Sequence, residues 1–272
     1  MKEDGEEPGE QRITQAAAEH VHAGEKDRRV AIISDIHSNL HALEAVLADC
    51  HSRGVERFCC LGDIVGYAAQ PAECLERVRS LGGPVVIGNH DFYVAHGRVD
   101  DDISDVARAG VLYSQARLNG EQKKWLAARP QVHEEECFTL VHASLDRPSK
   151  WDYIFDTGDA GATLRMQKTP VCFFGHTHMP SLFIGRRGSA SNTRSAAEGI
   201  FKFRADGRCL VNPGSVGQPR GNADPAAQYA ILDQDACSVE FVRVKYDTCA
   251  AAKLIIEAGL PPYLADRLMV GV

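Results

Sequence analysis

The sequence lacks the cysteine spacing that builds structural zinc sites. Its nine Cys residues include no Cys-x-x-Cys pair, and Cys59 and Cys60 are neighbours inside an apolar run. Zinc ribbons need closely spaced pairs of thiolates, so the spacing argues against a purely structural zinc site. An odd number of Cys residues in apolar settings is typical of reduced thiols. We therefore expect a cytoplasmic protein without disulfides.

Long apolar runs and a surplus of basic residues are also missing. No stretch is apolar over enough residues to span a membrane, so we expect no membrane partner. The formal net charge is -7 and no basic stripe is present, which argues against long nucleic acid as a partner. A small phosphorylated substrate is compatible with this charge, because bound metal ions would reverse it locally.

Residues 1–29 differ in composition from the rest of the chain. They are charged and rich in Glu, Gly and Ala, and they contain no apolar core of a signal peptide. This composition predicts a mostly disordered N-terminal leader. No Pro- or Gly-rich linker divides residues 30–272, which are enough for one large domain. We expect that domain to end in helices at about 248–269.

Strand-like and helical patterns alternate over the first hundred residues of the domain. The apolar run Arg29–Ser34 has no polar alternation, which is typical of a strand covered on both faces. An amphipathic pattern at 39–51 predicts a helix, and strand, helix and strand patterns follow at 58–61, 71–81 and 84–87. This alternation predicts an α/β fold with parallel strands, in which ligands bind beyond the carboxyl ends of the strands.

The second half of the chain has a different pattern. After two helices predicted within 103–129, short strand-like runs separated by turns cover 138–141, 171–174, 181–185, 199–204, 208–212, 228–233 and 238–245. These runs predict a second, mixed or antiparallel sheet. We therefore expect a four-layer αββα sandwich, with two mixed β-sheets inside and helices outside.

The segment 185–195 is of low complexity, and its composition predicts a flexible loop at a hairpin tip. Such a loop could instead bring Arg186, Arg187 or Arg194 to a bound phosphate.

A series of metal-ligand residue types follows the predicted strands. Its members are Asp35, His37, Asp63, Asn89, His142, His176 and His178. Each lies just after an apolar run, so the loops that carry them should meet at one edge of a sheet. Oxygen and imidazole donors suit two hard or borderline divalent cations that keep positions open for a substrate. For any one of these residues alone, ordinary loop polarity would be the simpler interpretation.

The motifs around these residues occur in a fixed order. They are Asp35-x-His37, Gly62-Asp63, Gly88-Asn89-His90-Asp91, the isolated His142 and Gly175-His176-x-His178. In this order and spacing, the chain resembles the calcineurin-like metallophosphoesterase superfamily over residues 30–216. The segment Val211–Arg220 resembles a bacterial branch of predicted phosphoesterases.

The resemblance implies two metal sites with the metal ion identity, Mn, Fe or Zn, left open. Asp35, His37, Asp63 and His178 would hold one ion, and Asp63, Asn89, His142 and His176 would hold the other. The chemistry agrees, since a carboxylate such as Asp63 can bridge two cations and offset their repulsion. The neutral amide of Asn89 leaves the centre more electrophilic, and a water that bridges the ions would become a nucleophile near neutral pH.

Two further residues of the third motif are catalytic candidates. His90 would face the leaving-group oxygen as a general acid or a charge stabiliser. Asp91 could orient the loop, or it could cap a helix over Phe92–His96.

The sequence departs from part of the superfamily after Gly62-Asp63. Ser/Thr protein phosphatases and symmetrical diadenosine tetraphosphatases carry Asp-Arg-Gly there, whereas this chain has Gly66-Tyr67-Ala68. The missing Arg removes a bidentate phosphate clamp, and the missing Asp removes the partner of the catalytic His. Asn39, Tyr67, Gln218 and Arg220 are the candidates for the rim of the substrate site.

These observations predict a dinuclear metal-dependent phosphoesterase that hydrolyses small phosphomonoesters, phosphodiesters or both. A dinucleoside polyphosphate hydrolase or a protein phosphatase of the same superfamily is the alternative enzyme. A non-catalytic metal-binding scaffold is the alternative of another class, and His90 argues against it, because scaffold members typically lack the His after the Asn.

Overall fold

The structure, a computed structural model, describes residues 28–100, 103–186, 189–195, 199–221 and 223–271. Of the predicted leader, only Arg28 and Arg29 are among the described residues. The side chains of Arg186 and Arg194 also lie outside what the structure describes. No helix in these ranges has both the length and the hydropathy needed to cross a membrane.

The described residues form eleven strands and eight α-helices. The strands are β1 (Arg29–Ile33), β2 (Arg57–Cys60), β3 (Val132–Glu134), β4 (Phe138–Val141), β5 (Val171–Phe173), β6 (Ser181–Arg186), β7 (Ser189–Ser195), β8 (Gly199–Lys202), β9 (Arg208–Asn212), β10 (Ala227–Asp233) and β11 (Ser238–Val244). The helices are α1 (Leu40–Ser52), α2 (Pro71–Ser80), α3 (Asn89–His96), α4 (Asp105–Arg117), α5 (Gly120–Ala127), α6 (Thr157–Met166), α7 (Thr248–Glu257) and α8 (Pro262–Val270).

Two mixed sheets share the strands. The first sheet has the order β2-β1-β10-β11-β8, and the second has the order β3-β4-β5-β9-β6-β7. β1 pairs with β2 in parallel, and β4, β5 and β9 are also parallel to one another. The parallel strands therefore end at the same edge of their sheet, as the alternating pattern in the sequence predicted.

The faces of β1 show how the layers are stacked. Val30 and Ile32 pack between the two sheets, against Phe138 and other residues of the second sheet. Ala31 and Ile33 point the other way and join the core beneath the helices α1 to α5. Both faces of the strand are buried, which is why its sequence shows no polar alternation.

Helix α6 covers the outer face of the second sheet. Its residues Ala160 and Leu164 pack on Cys172 and Phe183 of the second sheet. Helices therefore cover both sheets from outside, and the predicted αββα sandwich is confirmed.

The helix α1 illustrates how local sequence sets an element that supports the site. Asn39 is its N-cap, and its Oδ1 accepts a hydrogen bond of 3.1 Å from the backbone N–H of Ala42. Leu43, Val46 and Leu47 recur at helical spacing and are buried. The helix thus starts directly after the first motif and fixes the direction in which that loop leaves β1.

The strand predicted at 84–87 was wrong as a full strand. The segment makes one parallel bridge, between Cys60 and Val85, and Val86 N–H then donates to the carbonyl of Cys60 over 3.0 Å. Ile87 N–H instead donates to the carbonyl of Pro130 over 2.9 Å. The chain leaves the sheet early, but it still delivers the third motif to the same edge.

The flexible loop predicted over 185–195 was wrong for Ser189–Ser195, which form β7. This strand pairs with β6 in antiparallel register, from Ser181 opposite Ser195 to Arg186 opposite Ser189. A strand can add to an open sheet edge through backbone hydrogen bonds whatever its side chains are. The polar sequence of this segment therefore does not indicate a strand. Helix α6 was also missed, although Asp156 caps it by accepting from Gly158 and Asp159 N–H groups.

Candidate metal centre

The loops that carry the motifs are joined to one another by backbone hydrogen bonds. Asp35 N–H donates to the carbonyl of Gly62 over 3.1 Å, and His37 N–H donates to the carbonyl of Asp63 over 2.9 Å. In the second sheet, Gly175 N–H donates to the carbonyl of His142 over 2.8 Å. The ends of β1, β2, β4 and β5 therefore bring their polar loops into one buried cluster.

One half of the cluster is built around Asp35. Its Oδ1 lies 3.4 Å from His178 Nε2 and 3.9 Å from His37 Nε2. The Nε2 atoms of His37 and His178 face each other at 3.0 Å. Asp35 is held in this position because its carboxylate accepts from Ser34 Oγ over 2.6 Å.

The other half is built around His142. Its Nε2 lies 3.2 Å from Asn89 Oδ1 and 3.3 Å from His176 Nδ1. Asp63 is common to both halves, since its Oδ2 lies 3.5 Å from His142 Nε2 and 3.7 Å from His37 Nε2. The shared carboxylate thus occupies the position expected of a bridge. All seven predicted ligand residues are brought together.

The outer nitrogens of three rings fix which atoms face inwards. Nδ1 of His37, His142 and His178 lies 3.1, 2.8 and 2.8 Å from the carbonyl oxygens of Val65, Leu61 and Gln218, respectively. A carbonyl can only accept a hydrogen bond, so each Nδ1 carries a proton and each ring, in its neutral form, turns an Nε2 lone pair inwards. Lone pairs then face lone pairs and carboxylates. Such a donor set fits divalent cations.

The protonation states agree with an anionic cluster. Burial lowers the pKa of His176 to about 3 and lowers the pKa of His37 well below its usual value. Burial alone would raise the pKa of Asp63, but the neighbouring His142 lowers it well below the usual range. Burial also disfavours charge on His142, yet Asp63 raises the pKa of that ring to about 9. The carboxylates are therefore ionised, and the imidazoles are mostly neutral.

The backbone of these loops is held in an uncommon conformation. Of the ten non-glycine residues with positive φ in the described part of the chain, seven lie here: Asp35 (52°), His37 (48°), Ser38 (59°), Asp63 (52°), Tyr67 (58°), His176 (66°) and His178 (60°). Each such residue costs about 1–3 kcal/mol and persists only where the surroundings enforce it. Five of the seven are predicted ligands, so the strain lies where side-chain direction matters most.

Two glycines allow the loops to approach one another. A Cβ at Gly88 would collide with the carboxylate and backbone N–H of Asp63. Gly66 has φ of 91°, and a Cβ there would press on the ring of His90. Neither position has room for a side chain.

His90 lies against the half of the cluster that contains His37. Its backbone N–H donates to Asp63 Oδ1 over 2.8 Å, and its ring centroid is 4.8 Å from that of His37. Its Nδ1 is buried without a hydrogen-bond partner among the described residues. Burial lowers the pKa of His90 to about 4, which favours the neutral imidazole.

Asp91 has an anchoring position. Its Oδ1 accepts from the N–H groups of Ile64 and Val65 over 2.9 and 3.2 Å, and its Oδ2 accepts from Gly88 N–H over 3.2 Å. Asp91 is not itself the N-cap that was predicted, because the helix α3 begins at Asn89 with Gly88 as N-cap, but from the third position of the helix its side chain accepts the N–H of that N-cap. Asp91 also ties the second motif to the third, which agrees with the orienting alternative.

The predicted rim residues separate into two groups. Tyr67 lies beside the centre, with its ring centroid 4.6 Å from those of both His37 and His90. Arg220 is close as well, since its N–H donates to the carbonyl of His178 over 3.1 Å and its charge opposes the rise in the pKa of Tyr67 that burial causes. Asn39 is buried and turned away.

Both polar atoms of the Asn39 side chain make structural hydrogen bonds. Besides capping α1, its Nδ2 donates to the carbonyl of Gly217 over 3.0 Å and to Tyr246 Oη over 3.2 Å. These contacts favour a structural role for Asn39 over the proposed place at the substrate rim. Gln218, by contrast, accepts from Arg220 Nη2 over 2.8 Å and so helps to position that guanidinium.

Comparison with known proteins agrees with this geometry. The sequence profile of the calcineurin-like phosphoesterase superfamily domain matches residues 29–236. The chain belongs to this superfamily. The expected enzyme class, a metal-dependent phosphoric ester hydrolase, is thereby confirmed.

Three relatives show how far the similarity extends. The uncharacterized protein MJ0912 of Methanocaldococcus jannaschii is 36% identical over 251 residues, which cover 89% of this chain and 98% of that protein. The crystal structure of a metallophosphoesterase from Sphaerobacter thermophilus is 40% identical with a TM-score of 0.79, and it covers 90% of this chain and 99% of its own. Phosphodiesterase YfcE of Escherichia coli is 25% identical over 221 residues, 78% of this chain and 90% of its own.

The segment after β9 has a clear role in this member of the superfamily. Asn212 Nδ2 donates to the carbonyl of Gly175 over 2.7 Å and to Thr177 Oγ1 over 3.0 Å. Ser215 Oγ donates to the carbonyl of Asp35 over 2.7 Å. The segment therefore fastens the loop after β5 to the loop after β1. The sequence reasoning noted this segment without finding its role.

Sequence reasoning missed an aromatic group beside the centre. Tyr153 stacks on the ring of His176 at a centroid distance of 4.0 Å, and Trp151 meets the ring of His142 edge-on at 6.0 Å. These residues belong to no motif quoted above. Their only signal in the sequence is three aromatic residues at alternate positions, Trp151, Tyr153 and Phe155.

Proposed function

We propose that this chain is a dinuclear metal-dependent phosphoesterase that acts on small phosphomonoesters, phosphodiesters or both. One observation carries the proposal: the outer nitrogens of His37, His142 and His178 each face a backbone carbonyl, so the Nε2 atoms of all three rings point at one another and at the carboxylates. The donors form three overlapping groups, which are Asp35, His37 and His178, then His37, Asp63 and His90, and then Asp63, His142 and His176. Divalent cations suit such a set of imidazole and carboxylate donors.

The proposed assignment follows the two halves of the cluster. Asp35, His37, Asp63 and His178 would hold one ion, and Asp63, Asn89, His142 and His176 would hold the other. Two such ions, when bound, supply an activated water and Lewis acidity at the phosphoryl oxygens. Mn, Fe and Zn all suit imidazole and carboxylate ligands.

Three of the remaining residues would act on the substrate, and a fourth would hold the loops of the site. His90, in its neutral form, is placed to donate a hydrogen bond to the leaving-group oxygen as negative charge develops there. Arg220 supplies a positive charge next to the loop of His178, and Tyr67 closes the side of the site next to His90. Asp91 holds the loops that carry Asp63 and Asn89 at a fixed separation.

Two relatives bear on the substrate class. YfcE is named a phosphodiesterase, which supports activity towards diesters. A symmetrical bis(5'-nucleosyl)-tetraphosphatase of Methylococcus capsulatus is 32% identical over 106 residues, but these cover only 36% of this chain. The place of its family's Asp-Arg-Gly is taken here by Gly66-Tyr67-Ala68, and the ring of Tyr67 lies at the centre. This argues for small esters over dinucleoside polyphosphates and phosphoproteins.

A substrate panel on the Mn-loaded protein tests the proposal. It should contain a phosphomonoester, a phosphodiester, a dinucleoside polyphosphate and a phosphopeptide. We expect turnover of the first or the second that disappears with a chelator and returns with Mn. Turnover of the phosphopeptide alone, or turnover that survives the chelator, would contradict it.

A further inference from the structure

The aromatic residues beside the metal centre form a column of parallel rings. Tyr153 lies on His176 with an interplanar angle of 17° and a centroid distance of 4.0 Å. Phe155 lies on Tyr153 with an interplanar angle of 12° and a centroid distance of 5.2 Å. The column therefore starts at a proposed metal ligand and leads outwards from it.

The outer part of the column is open to solvent. Tyr153 is 48% exposed and Phe155 is 59% exposed, although both are large apolar rings. Phe155 stacks on Tyr153 and leaves more than half of its own surface exposed. Exposed apolar surface of this kind can mark a ligand-binding groove or an interaction site.

The column also lies next to the proposed metal centre, because its first ring, Tyr153, stacks directly on the proposed ligand His176. A substrate that stacks on Phe155 must span the two ring spacings, 4.0 and 5.2 Å, that separate Phe155 from His176.

The segment that carries the column is fixed in place. Phe155 N–H donates to Asp159 Oδ2 over 3.0 Å, and Asp156 caps the following helix α6 by accepting from Gly158 N–H over 2.7 Å. At the start of the segment, the ring of Trp151 packs against the ring of Phe92, with centroids 6.0 Å apart. A surface held in this way loses little conformational freedom when a ligand stacks on it.

We propose that Tyr153 and Phe155 form a stacking platform for a planar aromatic group of the substrate, such as a nucleobase or a phenyl ring. The inference rests on the proposed function for the position of the phosphate. It narrows the substrate class to phosphoesters that carry an aromatic group, and nucleotides fit it better than esters of small aliphatic alcohols. Stacking tolerates different bases, because every base has a π-face, so we expect little preference among them.

Equilibrium binding to the Mn-loaded full chain tests the platform without relying on turnover. The probes are non-hydrolysable phosphonate analogues of AMP and of ribose 5-phosphate, which differ only in the base. Benzylphosphonate and ethylphosphonate repeat the comparison for a phenyl ring. The variants are Phe155→Ala, Phe155→Leu and Phe155→Trp, all at an exposed position where folding should be preserved.

We expect Phe155→Ala to raise the Kd of the AMP analogue about 10-fold, within the range that base–aromatic stacking supplies. The Kd of the ribose 5-phosphate analogue should change less than about 2-fold. Phe155→Trp should keep the affinity for the AMP analogue, whereas Phe155→Leu should behave like Phe155→Ala, because leucine is apolar but not planar.

The outcomes separate this inference from the function on which it rests. If the two analogues bind the wild-type protein equally and small esters are still hydrolysed, the platform is wrong and the phosphoesterase stands. If Phe155→Ala selectively weakens the AMP analogue in a protein that hydrolyses no ester, the platform stands and the proposed reaction is wrong. If neither analogue binds, both the platform and the proposed function are wrong.

Discussion

Three histidine rings at the centre donate their outer N–H to backbone carbonyls. These contacts turn the Nε2 atom of each ring towards the place where we expect the metal ions to bind. The carbonyls belong to Leu61, Val65 and Gln218, which lie in the same loops as the ligands or next to them. Fixing the ring tautomer through a carbonyl raises ligand basicity and sets ring orientation. That the seven proposed ligand residues lie together was predictable from the motifs. The carbonyl partners were not, because any residue type supplies a carbonyl.

Among single residues, Gly88 should be required for the binding of both metal ions. In Gly88→Ala the new Cβ would collide with the carboxylate of Asp63, so that carboxylate must move out of the shared position. We expect the variant to lose at least one of the two metal ions per chain in elemental analysis. Gly120→Ala is the matched control, since nothing lies within 4 Å of its Cβ. Full metal content in Gly88→Ala would argue against the bridging role of Asp63.

His90 should affect the chemistry and spare metal binding. Its side chain is proposed to stabilise the leaving group, and its hydrogen bond to Asp63 comes from the backbone N–H. We expect His90→Ala to keep both ions while kcat falls by about 10²–10⁴-fold. The measurement is metal content alongside steady-state kinetics on one preparation. A loss of metal in this variant would place the ring among the ligands.

At the scale of elements, the sheet edges and helix starts were predictable where patterning is strong. The runs at β1, β4, β9 and β10 are apolar, and α1 and α2 carry clear start signals at Asn39 and Pro71. Two features needed tertiary structure. β7 is polar and forms only because β6 offers an edge, and the segment at 84–87 leaves its sheet because Pro130 captures Ile87 N–H.

Asn39 provides a test at the element scale, because it joins α1 to the segment after β9. Asn39→Ala removes the cap and the contacts with Gly217 and Tyr246. We expect a loss of about 2–3 kcal/mol in the free energy of unfolding, with KM unchanged. Asn119→Ala, which removes the exposed cap of α5, should cost only about 1 kcal/mol. If Asn39→Ala raised KM at unchanged stability, Asn39 would belong to the substrate site after all.

At the scale of the whole molecule, the two sheets meet at the metal centre. Asp35 and Asp63 come from the first sheet, whereas His142, His176 and His178 follow strands of the second. The layered fold was predictable from the order of strands and helices. The contact between the sheets across the centre was predictable only through the resemblance, since the residues concerned are far apart in sequence and the strand patterns do not show how the layers close.

Metal binding should therefore stabilise the entire fold. The ions join loops of both sheets, and the unfolded chain has no comparable site. At about 100-fold excess of Mn over its Kd, one site contributes about 2.7 kcal/mol. In a chain of this size that predicts a rise in Tm of about 5–10 °C, reversed by a chelator. Differential scanning calorimetry checks it, and an unchanged Tm would indicate that metal does not link the sheets.

The most direct test of the whole account is the metal content of the wild-type chain and of Asp63→Asn, measured after loading with Mn and removal of excess metal. The account predicts two ions per chain in the wild type. Asp63→Asn should hold at most one and should have no phosphoesterase activity, because the carboxylate common to both halves is gone. Two retained ions with normal turnover in Asp63→Asn, or no more than one ion in the wild type, would contradict it.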